Sequence, residues 1–160
     1  MTVKVQREDF DPGAELDALT RGKTSIGGVT TFIGYVRDYV GKDGAGGDAV
    51  RAMTLEHYPG MTERQLEAIE AEARKRWPLD DVLVIHRYGR LEPGDRIVLV
   101  ATASAHRQAA FESCHFLIDW LKTRAPFWKL EETPGGEHWV EAKDSDDDAA
   151  ARWEGQSDGA

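Results

Sequence analysis

The spacing of apolar residues changes several times along the chain, and each change marks an element. Ile26 to Val36 (IGGVTTFIGYV) is rich in β-branched and aromatic residues and predicts a strand. Val50 to His57 alternates and predicts a second strand. After the turn Tyr58-Pro59-Gly60, Leu66, Ile69, Ala73 and Trp77 recur at helical spacing, with Thr62 and Gln65 placed as a capping box and Pro78 as the stop. Val82–Tyr88 and Arg96–Ala103 predict an antiparallel hairpin, joined through Arg90 to Asp95 with its Pro-Gly pair. Ser104 is a suitable N-cap for a long helix whose stripe is Phe111, Cys114, Ile118 and Leu121, ending near Thr123 ahead of Pro126. Phe127–Glu131 and His138–Glu141 predict short extended pieces around Pro134-Gly135-Gly136. Before Ile26 the pattern offers only a short helix from Ala14 to Leu19. This order is not a regular βα alternation, and it predicts an α+β fold with mostly antiparallel pairing.

The 160 residues, 41% of them hydrophobic, suit one domain with a single core. We expect that domain over residues 1–143, with 144–160 as an acidic tail that frays. The net charge is −9, and the segment from Glu141 to Ala160 carries seven acids and two bases, or −5 of it. That balance argues against a nucleic-acid binder. No apolar run approaches the ~18 residues that span a bilayer, and the charged N-terminus does not read as a signal peptide, so a cytoplasmic protein is expected.

The single cysteine, Cys114, excludes an internal disulfide framework and any multi-cysteine metal site, and its place on an apolar stripe reads as a buried structural thiol. The five histidines, His57, His86, His106, His115 and His138, show no helical i, i+4 zinc pair, so no metal is expected. The glycine-rich stretch 41–47 lacks phosphate-loop spacing and reads as a loop.

What remains is a set of cations at element ends. His106 and Arg107 fall in the first turn of the long helix, where free N–H groups and the dipole favour an anion. Lys122 is at its other end, Lys129 just beyond Pro126, and Arg37 after the first strand. Each alone could be a solvated charge, and Lys122 suits a helix C-terminus in any case. Together they suggest a pocket for a small anion. His106 and Lys122 are sixteen residues apart, about 24 Å along an unbroken helix. Either the helix is broken, or one end is used, or two copies of the chain build the pocket between them.

Several long motifs occur in order: TFIGYVRD (31–38), LEHYPGM (55–61), IHRYGRLEPGD (85–95), SAHRQAAFESC (104–114), LKTRAPFWKLE (121–131) and HWVEA (138–142). From about residue 26 to residue 153 the chain resembles the MoaE family, the large, catalytic subunit of molybdopterin synthase. The resemblance implies an α/β-hammerhead fold with a smaller β subdomain. It implies a homodimer with a small ubiquitin-like, MoaD-like sulfur carrier at each end, hence a heterotetramer. The implied reaction moves sulfur from the carrier's C-terminal Gly-Gly thiocarboxylate to cyclic pyranopterin monophosphate (precursor Z), forming the molybdopterin dithiolene. No cofactor is expected, since molybdenum enters later through other proteins.

Carried over by position, the family's two functional lysines fall on Lys122 and Lys129, and these are the expected catalytic residues. Tyr35, Val36, Arg37, His106, Arg107, Leu130 and Glu131 fall on its substrate contacts. Lys143 replaces an arginine reaching toward the neighbouring subunit's pocket, keeping the charge without the bidentate fork. Composition and periodicity alone lead only to a phosphate-ligand-binding domain, and a non-catalytic adaptor for a ubiquitin-like protein is the other reading left open.

Overall fold

The computed structural model describes residues 3–40, 48–140, 151, 153 and 154. The stretch 41–47, Lys143 and most of the acidic tail lie outside the described residues. The expected α+β class is found, built on two four-stranded sheets. The first has the order β1-β6-β8-β2, formed by β1 (Val3–Gln6), β6 (Asp81–Arg87), β8 (Arg96–Ser104) and β2 (Gly28–Tyr35). All its pairings are antiparallel except β1 with β6, which is parallel. The second has the order β10-β9-β5-β7, from β10 (Gly136–Val140), β9 (Phe127–Thr133), β5 (Ala52–His57) and β7 (Gly89–Leu91), and is wholly antiparallel. A two-stranded piece pairs β3 (Tyr39–Val40) with β4 (Asp48–Ala49).

Alternation places the two faces of the first sheet against different layers. Val82, Val84, Val98 and Val100 face a core completed by Leu66 and Ala73 of α2 (Met61–Arg76) and Cys114, Phe116 and Leu117 of α3 (Arg107–Thr123). Leu83, Ile85, Leu99 and Ala101 face a smaller core closed by Leu19 of α1 (Pro12–Thr20).

Four local expectations change. Ser104 does not cap α3: β8 runs on through it, and its hydroxyl donates to the Pro78 carbonyl at 2.7 Å. His106 is the N-cap instead, and Arg107 is the first helical residue. Thr62 and Gln65 do not form the capping box of α2. Gly60 (φ 83°) is the N-cap, its N–H donates to Glu63, and Thr62 accepts from the Tyr58 N–H at 3.0 Å. Phe111 leaves the predicted stripe and is 59% exposed. Part of the link between β6 and β8 departs for the second sheet as β7, joining the two sheets covalently.

Trp153 also departs from the expectation of a frayed tail. It is buried among Trp77 and Phe116, its indole N–H donates to Asp119 at 2.7 Å, and its carbonyl accepts from Arg76 at 2.8 Å. Arg124 and Glu154 pair beside it. No helix among the described residues is long and apolar enough to cross a membrane.

Candidate functional site

The site follows from how α3 lies on the first sheet. β8 and β2 are antiparallel with Gly28 opposite Ser104, so α3 starts beside the beginning of β2. The Gly27 N–H donates to the Ser104 carbonyl at 2.9 Å, closing that corner. Midway, the Cys114 thiol lies against the backbone of Val100 and Phe32. The helix therefore runs along β2 in the same direction, and its last turn, with Lys122, points toward the end from which Arg37 leaves.

At that end a bulge between Gly34 and Tyr35 shifts the register of β2. Tyr35 is exposed and Arg37 is exposed, while Val36 between them is buried and held by two backbone bonds, its N–H to Asp95 and its carbonyl from Gly94. The cross-sheet row there is Gly34, Val98, His86. With strands about 4.8 Å apart, His86 stands about 10 Å from β2, on the helix-covered face.

Pro126 ends the helical path and the chain enters β9. Lys129, half-buried, pairs with Leu55 and Val140; Leu130, half-buried, pairs with Thr54 and Trp139. Glu131 is only 7% exposed, and its Oε2 is buried without a hydrogen-bond partner. A buried carboxylate oxygen lacking a donor is costly, and a bound donor would relieve that cost.

Lys122 and Lys129 come from different elements, yet both charges act on one imidazole. Burial pushes His86 down from its ordinary 6.5 to about 3; its bond to the Arg87 carbonyl opposes this, while Lys129, Lys122 and His57 push it further down. Both lysines thus lie within electrostatic reach of His86, whose cross-strand row leads to the end of β2 that carries Tyr35, Val36 and Arg37.

His106 and Arg107 are not brought to that group within one chain. They are exposed at the opposite end of α3, roughly 25 Å away along the helix. No side chain caps the helix there and no acid occupies its first turn, so the positive end stays open to an anion. Cys114 is buried and its thiol is pushed up to about 12, which leaves it inert as a nucleophile.

Sequence reasoning passed over His86, which it weighed only as a metal ligand. The available signal was its position: Val82, Val84 and His86 alternate onto one buried face, where a polar residue needs a reason. Because His86 takes up a proton only when unfolded, it contributes stability fully above about pH 6.5 and loses it as pH falls toward 3. Urea midpoints should therefore fall between about pH 6.5 and 4, with a slope from this group of at most about 1.4 kcal/mol per pH unit. His86→Phe should flatten that slope; an unchanged slope would rule the ring out as its source.

The sequence profile described as "MoaE protein" matches residues 5–124. The chain belongs to the MoaE family. It is 56% identical over 154 residues to the molybdopterin synthase catalytic subunit of Pseudomonas aeruginosa, covering 96% of this chain and 99% of that one. It is 53% identical over 151 residues to the subunit of the same name from Escherichia coli, covering 94% and 97%. The solved MoaE protein of Burkholderia ambifaria superposes with a TM-score of 0.79 at 53% identity, covering 96% and 97%. These matches extend over nearly the whole of each relative's chain.

Proposed function

We propose that this chain is a molybdopterin synthase catalytic subunit, moving sulfur from the thiocarboxylated C-terminus of a small ubiquitin-like carrier to precursor Z. The carrying observation is that α3 ends with Lys122 in its last turn and β9, which bears Lys129 and Glu131, begins at Phe127 stacked on His86, in the same cross-strand row as the end of β2 that leads to Arg37. The relatives' shared name supports the reading, and the word subunit in it supports a second chain.

The chemistry suits these groups. Precursor Z carries a cyclic phosphate and the carrier tail a thiocarboxylate, so both reactants are anions. Attack by sulfur on a pterin carbon creates oxyanions that fixed cations stabilise. We assign Lys122 to the chemistry at the thiocarboxylate and Lys129 to substrate binding or activation. Tyr35 to Arg37, Leu130 and Glu131 are read as substrate contacts, and Lys143 as reaching across to the neighbouring pocket. Residues 1–143 are read as the catalytic domain, acting in the cytoplasm, and 144–160 as an acidic tail.

The homodimer is supported by geometry. β2 is an edge strand along which Val29, Phe32 and Tyr35 are exposed, and Phe111 is exposed on the helix beside it. Two copies joined antiparallel along β2 would bring Arg107 of the partner subunit toward Lys122, since α3 and β2 run alongside each other. Each dimer would then hold two pockets, each taking one carrier.

Incubating the chain with thiocarboxylated carrier and precursor Z, read by mass, tests the function. Two sulfurs gained by the pterin support it; carrier binding without pterin modification makes the chain an adaptor, and no affinity for the carrier leaves a phosphate-binding domain. Mixing Lys122→Ala with Arg107→Ala chains tests the shared pocket. A mixed dimer retains one intact pocket only if the two residues come from different protomers, and random pairing then restores about a quarter of the activity.

A further inference from the structure

The ring of His86 stands where the two lysine-bearing elements meet. It lies flat on Phe127, with centroids 3.8 Å apart and planes 16° from parallel. Phe127 opens β9, and Lys129 and Glu131 follow on the same face of that strand. The seating of Phe127 on His86 therefore sets where β9 begins and how Lys129 leaves it. Within its own sheet His86 lies in the row Val5, His86, Val98, Gly34, and Gly34 is two residues from Val36. Its Nδ1 is 2.8 Å from the Arg87 carbonyl. A carbonyl only accepts, so Nδ1 carries the proton and the uncharged ring keeps its lone pair on Nε2.

We propose that His86 is a positioning residue for Lys122 and Lys129, seating β9 through Phe127 and offering the cationic pocket an uncharged nitrogen acceptor. This rests on the sulfur-transfer reading above. The charged and titratable groups around the ring are Lys122 of α3, Lys129 of β9, His57 of β5 and its own neighbour Arg87. Beyond His57 stand Tyr88, with ring centroids 4.2 Å apart, and Glu63 of α2 at 3.7 Å, and Arg7 lies over the Tyr88 ring. A third positive charge in this company would repel both ammonium groups, and burial keeps the imidazole from supplying one.

The test uses the full chain with thiocarboxylated carrier and precursor Z. His86→Gln keeps an acceptor oxygen; His86→Phe keeps a flat ring for Phe127 and has no acceptor. We expect His86→Phe to lower kcat about tenfold at unchanged KM for the carrier and to displace the pH–rate profile, and His86→Gln to recover most of both. A wild-type rate and profile in His86→Phe would overturn the proposal, as would equal losses in both variants with the profile unmoved. If a variant does not fold, imidazole nitrogen spectra of the wild-type, Lys122→Ala and Lys129→Ala chains decide. An unprotonated Nε2 from about pH 5 to 9 that shifts when either lysine is removed supports the proposal, and one indifferent to both overturns it. A wild-type chain that transfers no sulfur defeats the functional reading instead, and the spectra still report on His86.

Discussion

Lys122→Ala should reduce sulfur transfer by roughly 10³-fold while the proposed dimer still forms and the carrier still binds. A fixed cation facing a developing oxyanion is worth about 10²–10³ in rate, and loss of a proton carrier adds to that. The fold has little stake in this side chain. Lys122 is exposed in the last turn of α3, where alanine is a good helix former and the lost dipole interaction is worth only about 0.3–1 kcal/mol. Single-turnover transfer followed by mass, beside a carrier-binding isotherm and a sedimentation run, separates chemistry from assembly. Lys122→Arg refines the result: it keeps the charge and cannot release a proton. Near-normal turnover in the alanine variant would remove Lys122 from the mechanism.

The second large effect is expected at Gly27. A Cβ there would stand 1.9 Å from the Ala105 carbonyl oxygen and 2.8 Å from its carbon, both backbone atoms. No side-chain rotation relieves that overlap, so either β2 or the entry to α3 must move. Gly27→Ala should lower stability by roughly 3 kcal/mol, read as a shifted urea midpoint. Because Ala105 directly precedes His106 and Arg107, activity should fall further than stability alone explains. Gly28→Ala is the matched control: its added methyl meets nothing within 4 Å and should be close to neutral. Equal midpoints for the two variants would mean that the corner is soft.

Where an element depends on its own residues, the sequence read it well. The β-branched and apolar run Val82 to Ile85 and the helical stripe of Leu66, Ile69 and Ala73 are local signals, and both elements are found within two residues of expectation. Elements defined by distant partners were not legible. β1 is four residues long and exists through parallel pairing with β6, some eighty residues away. β7 reads locally as a hairpin connection, and only its pairing with β5 makes it a strand. Ser104 has the chemistry of a cap, and a bond to Pro78 claims its hydroxyl for another purpose. Trp153 looks like a stray aromatic in an acidic tail until Asp119 and Arg76 are found around it.

The site divides in the same way. Helix arithmetic alone separated His106 and Arg107 from Lys122, and the unbroken α3 keeps them apart. Bringing the strand of Lys129 to the end of α3 needed the turn at Pro126 and the stacking of Phe127 on His86, which no local pattern encodes. Its residues were reached through likeness to a family. His86 escaped both routes, since its role depends on Phe127 lying across it.

The unbroken run of α3 also constrains how such a chain can vary in length. If each pocket takes its anion-binding groups from opposite ends of two copies of this helix, the helix works as a ruler, used twice per assembly. One residue inserted between Arg107 and Lys122 would turn the far end by about 100° and lengthen it by about 1.5 Å, spoiling both pockets at once. Tolerance for insertions and deletions should therefore collect in surface connections elsewhere, while this stretch keeps its count.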